Sequence, residues 1–218
     1  MKTIRILLSS VTVAALLVAP LAAIAGPDHV SKSPPFWTFA APPPAGTTQL
    51  VRSPQGLTAQ FNTTGLMAGH AVTLWIMFFD NPEACAVAGE CNPAVDIGAP
   101  GVRFDFHYAG GHIVNGKKTT ISGHLQVGEL STSGWAEVGS PLATPLTNPS
   151  GAQVILALHS HGPAQAGQAL MAQMSSYLGG CDLPFLGDAS GFAQGFGDIP
   201  ANDGECSTIQ LAFHSPAP

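Results

Sequence analysis

Positive charge is what this chain has least of. Only seven of its 218 residues are Lys or Arg, and two of these, Lys2 and Arg5, stand at the extreme N-terminus. Beyond residue 25 the formal charge is −8, and the five remaining basic residues are scattered. A polyphosphate backbone is bound by clustered Lys and Arg, so this distribution argues against nucleic acid and, for the same reason, against an anionic membrane surface. Charged residues of both signs make up 9% of the chain, a scarcity that would signal disorder if apolar residues were also scarce, but 45% of the chain is hydrophobic. Long apolar runs are missing after the N-terminus, which leaves no later segment able to span a bilayer. Also missing are the paired C-x2-C knuckles of zinc domains, the G-x-S-x-G nucleophile elbow and any EF-hand register.

What is present begins with an export signal. Lys2 and Arg5 form a positive n-region, Ile6 to Val18 an apolar h-region, and Ala23-Ile24-Ala25 a small-x-small cleavage site. Residues 1–25 are therefore read as a signal peptide, and the mature protein as secreted or periplasmic. In that oxidising setting Cys85, Cys91, Cys181 and Cys206 read as disulfides, which four cysteines can form in three pairings. Cys85 with Cys91 and Cys181 with Cys206 is the preferred pairing, since each closes a local loop rich in small residues and turn formers. Residues 26–46, with Pro27, Pro34, Pro35 and Pro42-Pro43-Pro44, suit an extended arm. The remainder, 47–218, has the length of one domain.

Period-two patterning recurs along that domain. Gly56 to Asn62 alternates Leu57, Ala59 and Phe61 with polar residues. Ala71 to Phe79 and Ala152 to His159 are apolar on both faces and are expected as central strands. Val102 to Tyr108 sets Phe104, Phe106 and Tyr108 against Arg103, Asp105 and His107. Gly110-Gly111 is expected to turn the chain, with His112 to Asn115 and Thr119 to Val127 forming a hairpin at Asn115-Gly116. Thr208 to Phe213 is expected to point Ile209, Leu211 and Phe213 inward, and Ala166 to Leu178 alone has helical spacing. Short strands between turn signals predict an all-β fold, an antiparallel sandwich with a closed barrel as the alternative, one or two short helices at most, and disulfide-stapled loops.

His159-Ser160-His161 is the local constellation that carries a chemical hypothesis. On a continuing strand both imidazoles face one side, as two ligands of a zinc or copper ion do. His107, His112, His124 and His214 are the candidates for a third ligand, and Asp105 shares a face with His107. Against this stands the plain alternative of histidines that hydrogen-bond at a strand end. Ser160 makes no triad with its neighbours, because adjacent strand residues point to opposite faces. Asp80 and Glu83 with the Asn81 side chain form a second, weaker candidate, for calcium. Trp75 and Phe79, on a central strand, are expected in the core rather than in a pocket wall.

The segments from Leu74 to Cys85 (LWIMFFDNPEAC), Gly111 to Val114 (GHIV), Leu158 to Pro163 (LHSHGP) and Gly179 to Cys181 (GGC) form an ordered series that resembles a group of secreted prokaryotic proteins with no known activity. The resemblance runs from about Leu50 to Phe213 and implies a shared fold and export; it brings no catalytic residue with it. A shorter likeness of His159 to Pro163 to pieces of chordin-type and superoxide-dismutase-like sandwiches points the same way on fold. The expectation for function is a secreted β-sandwich binding or surface-associated module with an unknown ligand or surface partner and a candidate metal site at His159, His161, His107 and His112. The alternative is a zinc- or copper-dependent secreted enzyme built on His159 and His161.

Overall fold

Two strands with no wet face set the architecture. All ten residues of β5 (His70–Phe79) are buried, and so are all residues of β8 (Gln153–Pro163) except the last. A strand apolar on both sides must be covered on both sides, which places β5 and β8 side by side at the centre of a sheet between two layers. The structure is a computed structural model that describes residues 28–38, 46–137, 139–179 and 207–218. The signal peptide and the Cys181/Cys206 pair of the sequence reading lie outside these residues. Among the described residues no helix is long and apolar enough to cross a membrane.

The strands form two antiparallel sheets. One has the order β1 (His29–Ser33), β3 (Gly46–Ser53), β4 (Gly56–Thr64) and β7 (Lys118–Gln126). The other runs β2 (Phe36–Trp37), β9 (Ser207–His214), β8, β5 and β6 (Phe104–Ile113). Each sheet has two edge strands, so the fold is a sandwich and not the closed barrel. Between the sheets lie Leu50, Leu57, Phe61, Val72, Leu74, Ile76, Phe78, Val154, Leu156 and Leu158, all essentially inaccessible to solvent.

The two sheets differ in what covers their outer faces. On the four-stranded sheet Thr58, Gln60, Thr120 and His124 are exposed. The outer face of the five-stranded sheet instead carries a second apolar cluster of Trp75, Met77, Phe79, Phe104, Phe106, Trp135, Ile155 and Leu211. Among the described residues three short α-helices, α1 (Pro93–Asp96), α2 (Gly134–Glu137) and α3 (Gly167–Ser175), and a 3-10 turn at Pro82–Ala84 lie in the connections. Of these α3 packs on β5 and β6, and α2 packs on β6. The helix expected over Ala166–Leu178 is α3; α1 and α2 are single turns without a periodicity to announce them.

The structure differs from the sequence reading in three places. The stretch read as an extended arm supplies β1, paired to β3, and β2, paired to β9, because its residues between the prolines have free N–H groups that can join a sheet edge. Gly110-Gly111 does not turn the chain; β6 runs through it to Ile113 and pairs with β5, while β7 pairs with β4 in the other sheet. The glycines serve close approach, since a Cβ on Gly110 would lie 2.9 Å from the Ser122 carbonyl oxygen of β7 and one on Gly111 2.6 Å from the Met174 carbonyl oxygen. On β9, a register shift between Leu158 and His159 of β8 precedes the pairing of Leu158 with Gln210 and Ala157 with Leu211. Gln210, Ala212 and His214 consequently face the inter-sheet core, and Phe213 is 38% exposed, stacked on Phe36.

Cys85 and Cys91 are bonded, and both sulfurs' residues are buried in the outer cluster. A closed loop this short contributes about 2 kcal/mol by chain entropy. The Cys85→Ser/Cys91→Ser variant is expected to lose about that amount in urea unfolding and to remain folded at 25 °C; a loss under about 0.5 kcal/mol would mean that the buried Asp96 holds the loop alone. The Asp96 carboxylate accepts the Ala86 and Asn92 amides at 2.7 and 2.6 Å.

Candidate functional site

His159 and His161 do lie on one face of β8, the outer face of the five-stranded sheet, with ring centroids 4.8 Å apart. Their nitrogens are in different situations. A directional chain fixes His161: the Trp75 indole N–H donates to Thr73 Oγ1 (2.8 Å), the Thr73 hydroxyl donates to His161 Nε2 (2.8 Å), and Nδ1–H donates to the Gly179 carbonyl (2.8 Å). A carbonyl can only accept, so the proton of the neutral ring sits on Nδ1 and its lone pair is already engaged. Burial pushes the His161 pKa down to about 4, against the raising effect of the Gly179 carbonyl. His159 is also held well below its ordinary value, by burial first and by the neighbouring His161 second. Its Nδ1 lies 3.5 Å from Thr208 Oγ1, and its buried Nε2 has no partner among the described residues.

The proposed further ligands do not join this pair. His107 stands opposite Ile76, and His112 opposite Val72, both of which project into the inter-sheet core; His159 stands opposite Thr73, on the other face. Strand alternation, which allowed a shared face in principle, thus separates His107 and His112 from His159 and His161 by the thickness of the sheet. His124 is exposed on β7 with Nδ1 3.0 Å from Thr58 Oγ1. His214 lies buried toward the other end of β9, between Ser31 Oγ at 2.8 Å and Thr48 Oγ1 at 2.9 Å. Among the described residues no three His, Cys, Asp or Glu side chains gather as an ion would require.

Of the two carboxylates read as calcium ligands, Glu83 is exposed and Asp80 is a loop anchor. Asp80 is ion-paired with Arg103 and accepts the Thr147 and Asn148 amides, each at 2.9 Å. The Asn81 side chain bonds the Arg103 amide and the Gly101 carbonyl. A guanidinium in contact with the carboxylate occupies the place a hard cation would need. Asp105 does similar work, accepting Ser133 Oγ at 2.8 Å, the Thr144 amide at 2.8 Å and the Phe106 amide at 2.7 Å. His107, fully buried against Phe78, adds Nδ1 at 3.0 Å from Thr132 Oγ1, and its Nε2 lies 3.5 Å from Asp105 without forming a hydrogen bond. Together these bonds fasten Thr132, Ser133 and Thr144 onto β6.

That fastening shapes a cleft which the sequence does not announce. Between the 130–137 segment and the end of α3 is a cleft of about 340 Å³, with Trp75 and Tyr108 of the sheet at its base and Thr132, Glu137, Ser175 and Ser176 on its walls. The Tyr108 hydroxyl donates to the Met174 carbonyl at 2.5 Å, and Glu137 Oε2 accepts the Tyr177 amide at 3.0 Å, so the two walls are tied to the base and to each other. Trp75 packs edge-on to Tyr108 and Tyr177. The half-buried Tyr108 ring over the buried Trp75 below, hydroxyls and one carboxylate around, and no basic side chain form a surface suited to a small hydroxyl-bearing molecule. The Ser131-Thr132-Ser133 run is the only mark this wall leaves in the sequence. Set against family models, curated proteins and solved structures, the chain matches none.

Proposed function

We propose that this protein is a secreted or periplasmic binding module that takes a small, neutral, hydroxyl-rich ligand such as a mono- or disaccharide. The observation that carries the reading is the cleft over Trp75 and Tyr108, whose walls are fixed by buried Asp105 and by Tyr108 and so are formed before any ligand arrives. The oxidised Cys85–Cys91 pair supports an extracytoplasmic site of action, as does the N-terminal export signal. Anionic sugars are disfavoured, because Glu137 is the charged group at the walls. In a calorimetric screen of neutral and anionic sugars, at least one neutral sugar is expected to bind saturably. Glu137→Gln is expected to weaken it about tenfold, the loss of one charge-assisted hydrogen bond. Binding of anionic sugars alone would overturn the assignment.

One observation favours the alternative, a zinc- or copper-dependent enzyme: the buried Nε2 of His159 beside His161, which has no hydrogen-bond partner among the described residues. Neutral imidazole nitrogen is the form that ligates these metals. The measurement is metal content of untagged protein exported and oxidised in a periplasm, against a His159→Ala/His161→Ala variant. With His161 engaged at both nitrogens, less than 0.1 equivalent of metal is expected in either protein, within roughly the background of such assays. Near-stoichiometric zinc or copper that disappears in the variant would replace the binding-module reading.

A further inference from the structure

A second concavity lies at the end of the sandwich where β2, β5 and β9 meet. It is a narrow slot of about 100 Å³ between the Trp37 ring and Leu66, floored by Val72 and Ile209, with Met67 at its rim. The surface it exposes is almost wholly apolar, although His70 and Ser160 also border it. At Gly65 and Leu66 it adjoins a wider, open groove of about 590 Å³, and the far side of that groove is Lys117 and Lys118. Met67 is 59% exposed, and both lysines are exposed, Lys117 in the turn between β6 and β7 and Lys118 as the first residue of β7.

The charge inventory makes this juxtaposition informative. Five basic residues follow the signal segment. Arg52 is buried on backbone carbonyls and Arg103 is ion-paired with Asp80, while Lys32 stands alone on β1. Lys117 and Lys118 are therefore the one place where two cations stand together, and among the described residues neither has an ion pair. On a chain of formal charge −8 past the signal segment, this local excess attracts an anion that the rest of the surface repels. The slot, smaller than the 150 Å³ that holds benzene, takes the end of an alkyl chain, and the adjoining groove takes the rest. Two lysines are too few for a membrane surface, whose polybasic sites use clusters of about four to eight.

We propose that this slot and its lysine mouth bind a free short- to medium-chain monocarboxylate, the alkyl chain entering between Trp37 and Leu66 and the carboxylate resting on Lys117 and Lys118. The probes are sodium octanoate and 1-octanol, titrated into the full mature protein and read at the Trp37 indole N–H signal by NMR. Octanoate is expected to shift that signal saturably in the submillimolar range and to bind at least tenfold more tightly than octanol. Lys117→Glu/Lys118→Glu, at two exposed positions, is expected to leave the melting temperature unchanged and to weaken octanoate at least tenfold and octanol less than twofold. Equal affinity for the two probes, octanoate binding unaffected by the charge reversal, or no saturable shift at Trp37 would each overturn the proposal. The carboxylate site and the sugar cleft report through different tryptophans, so either can fail alone.

Discussion

Replacing Arg52 by methionine is expected to destabilise the fold by about 3 to 4 kcal/mol, the largest effect of any single substitution outside the apolar core. The guanidinium is 1% exposed and donates to four carbonyls: Pro149 (2.6 Å), Ala152 (2.9 Å), His214 (3.3 Å) and Ser215 (2.8 Å). It thereby joins β3 of one sheet to the turn before β8 and to the end of β9 in the other. Each carbonyl left without a partner costs about 1 to 3 kcal/mol, and the relief of removing a buried cation offsets part of the sum. The cation does carry a burden, since burial lowers its pKa to about 10, still well above neutral pH. Arg52→Lys is expected to recover less than half of the loss, because an ammonium has three donors and no planar fork. Urea unfolding midpoints decide the matter, and a loss below about 1 kcal/mol for Arg52→Met would mean that the carbonyls find water.

The second large effect is acid sensitivity well above the range where carboxylates titrate. His161 and His214 are held at about 4 by burial, with the Arg52 charge a further cause at His214, and His159 is held lower than its ordinary value by burial and His161. The unfolded chain binds these protons near pH 6.5, whereas the folded chain does not until about pH 4. Between those limits the unfolded state carries more protons, so stability rises with pH; it is complete above pH 6.5 and is lost as pH falls toward 4. At about 1.4 kcal/mol per pH unit per group, His161 and His214 together cost about 4 kcal/mol by pH 5, a large part of the stability of an ordinary domain. Thermal melts from pH 7.5 to 4.5 are expected to show a steep fall from pH 6.5, and His161→Gln is expected to flatten it. A melting temperature level down to pH 5 would show that these imidazoles reach water.

The parts of this fold that sequence patterning reveals are those where burial and periodicity coincide. β5 and β8 are visible as doubly apolar strands, and β4 as an alternating one, because a buried face demands it. The placing of His107 opposite the His159 face follows from pairing register, and no pattern within β6 or β8 encodes which residue stands against Ile76 or Thr73. The β9 faces were hidden for a related reason: a register shift at Leu158/His159 reassigns them, and with both sides of this sheet covered, Gln210 and Leu211 are equally buried. In the sequence Asp80 looks like a calcium ligand and Asp105 like a neighbour of a metal-binding His107. They are buried because loop amides and hydroxyls, supplied some 28 to 68 residues away, satisfy them. The cleft depends on those bonds, which is why its walls carry no periodic signal while its base, Trp75, sits in the clearest strand of the chain.

The most direct measurement is a titration of uniformly ¹⁵N-labelled protein with neutral mono- and disaccharides, followed at the indole N–H signals of Trp37, Trp75 and Trp135. Trp75 lies at the base of the cleft and its N–H is bonded to Thr73, so a ligand above it alters that signal while Trp135, packed against Phe106, stays still. The expected result is a saturable shift at Trp75 with at least one sugar, abolished in Ala136→Phe, which fills the cleft from an exposed position on α2. No movement of Trp75 with any sugar, or a shift that survives Ala136→Phe, would contradict the account.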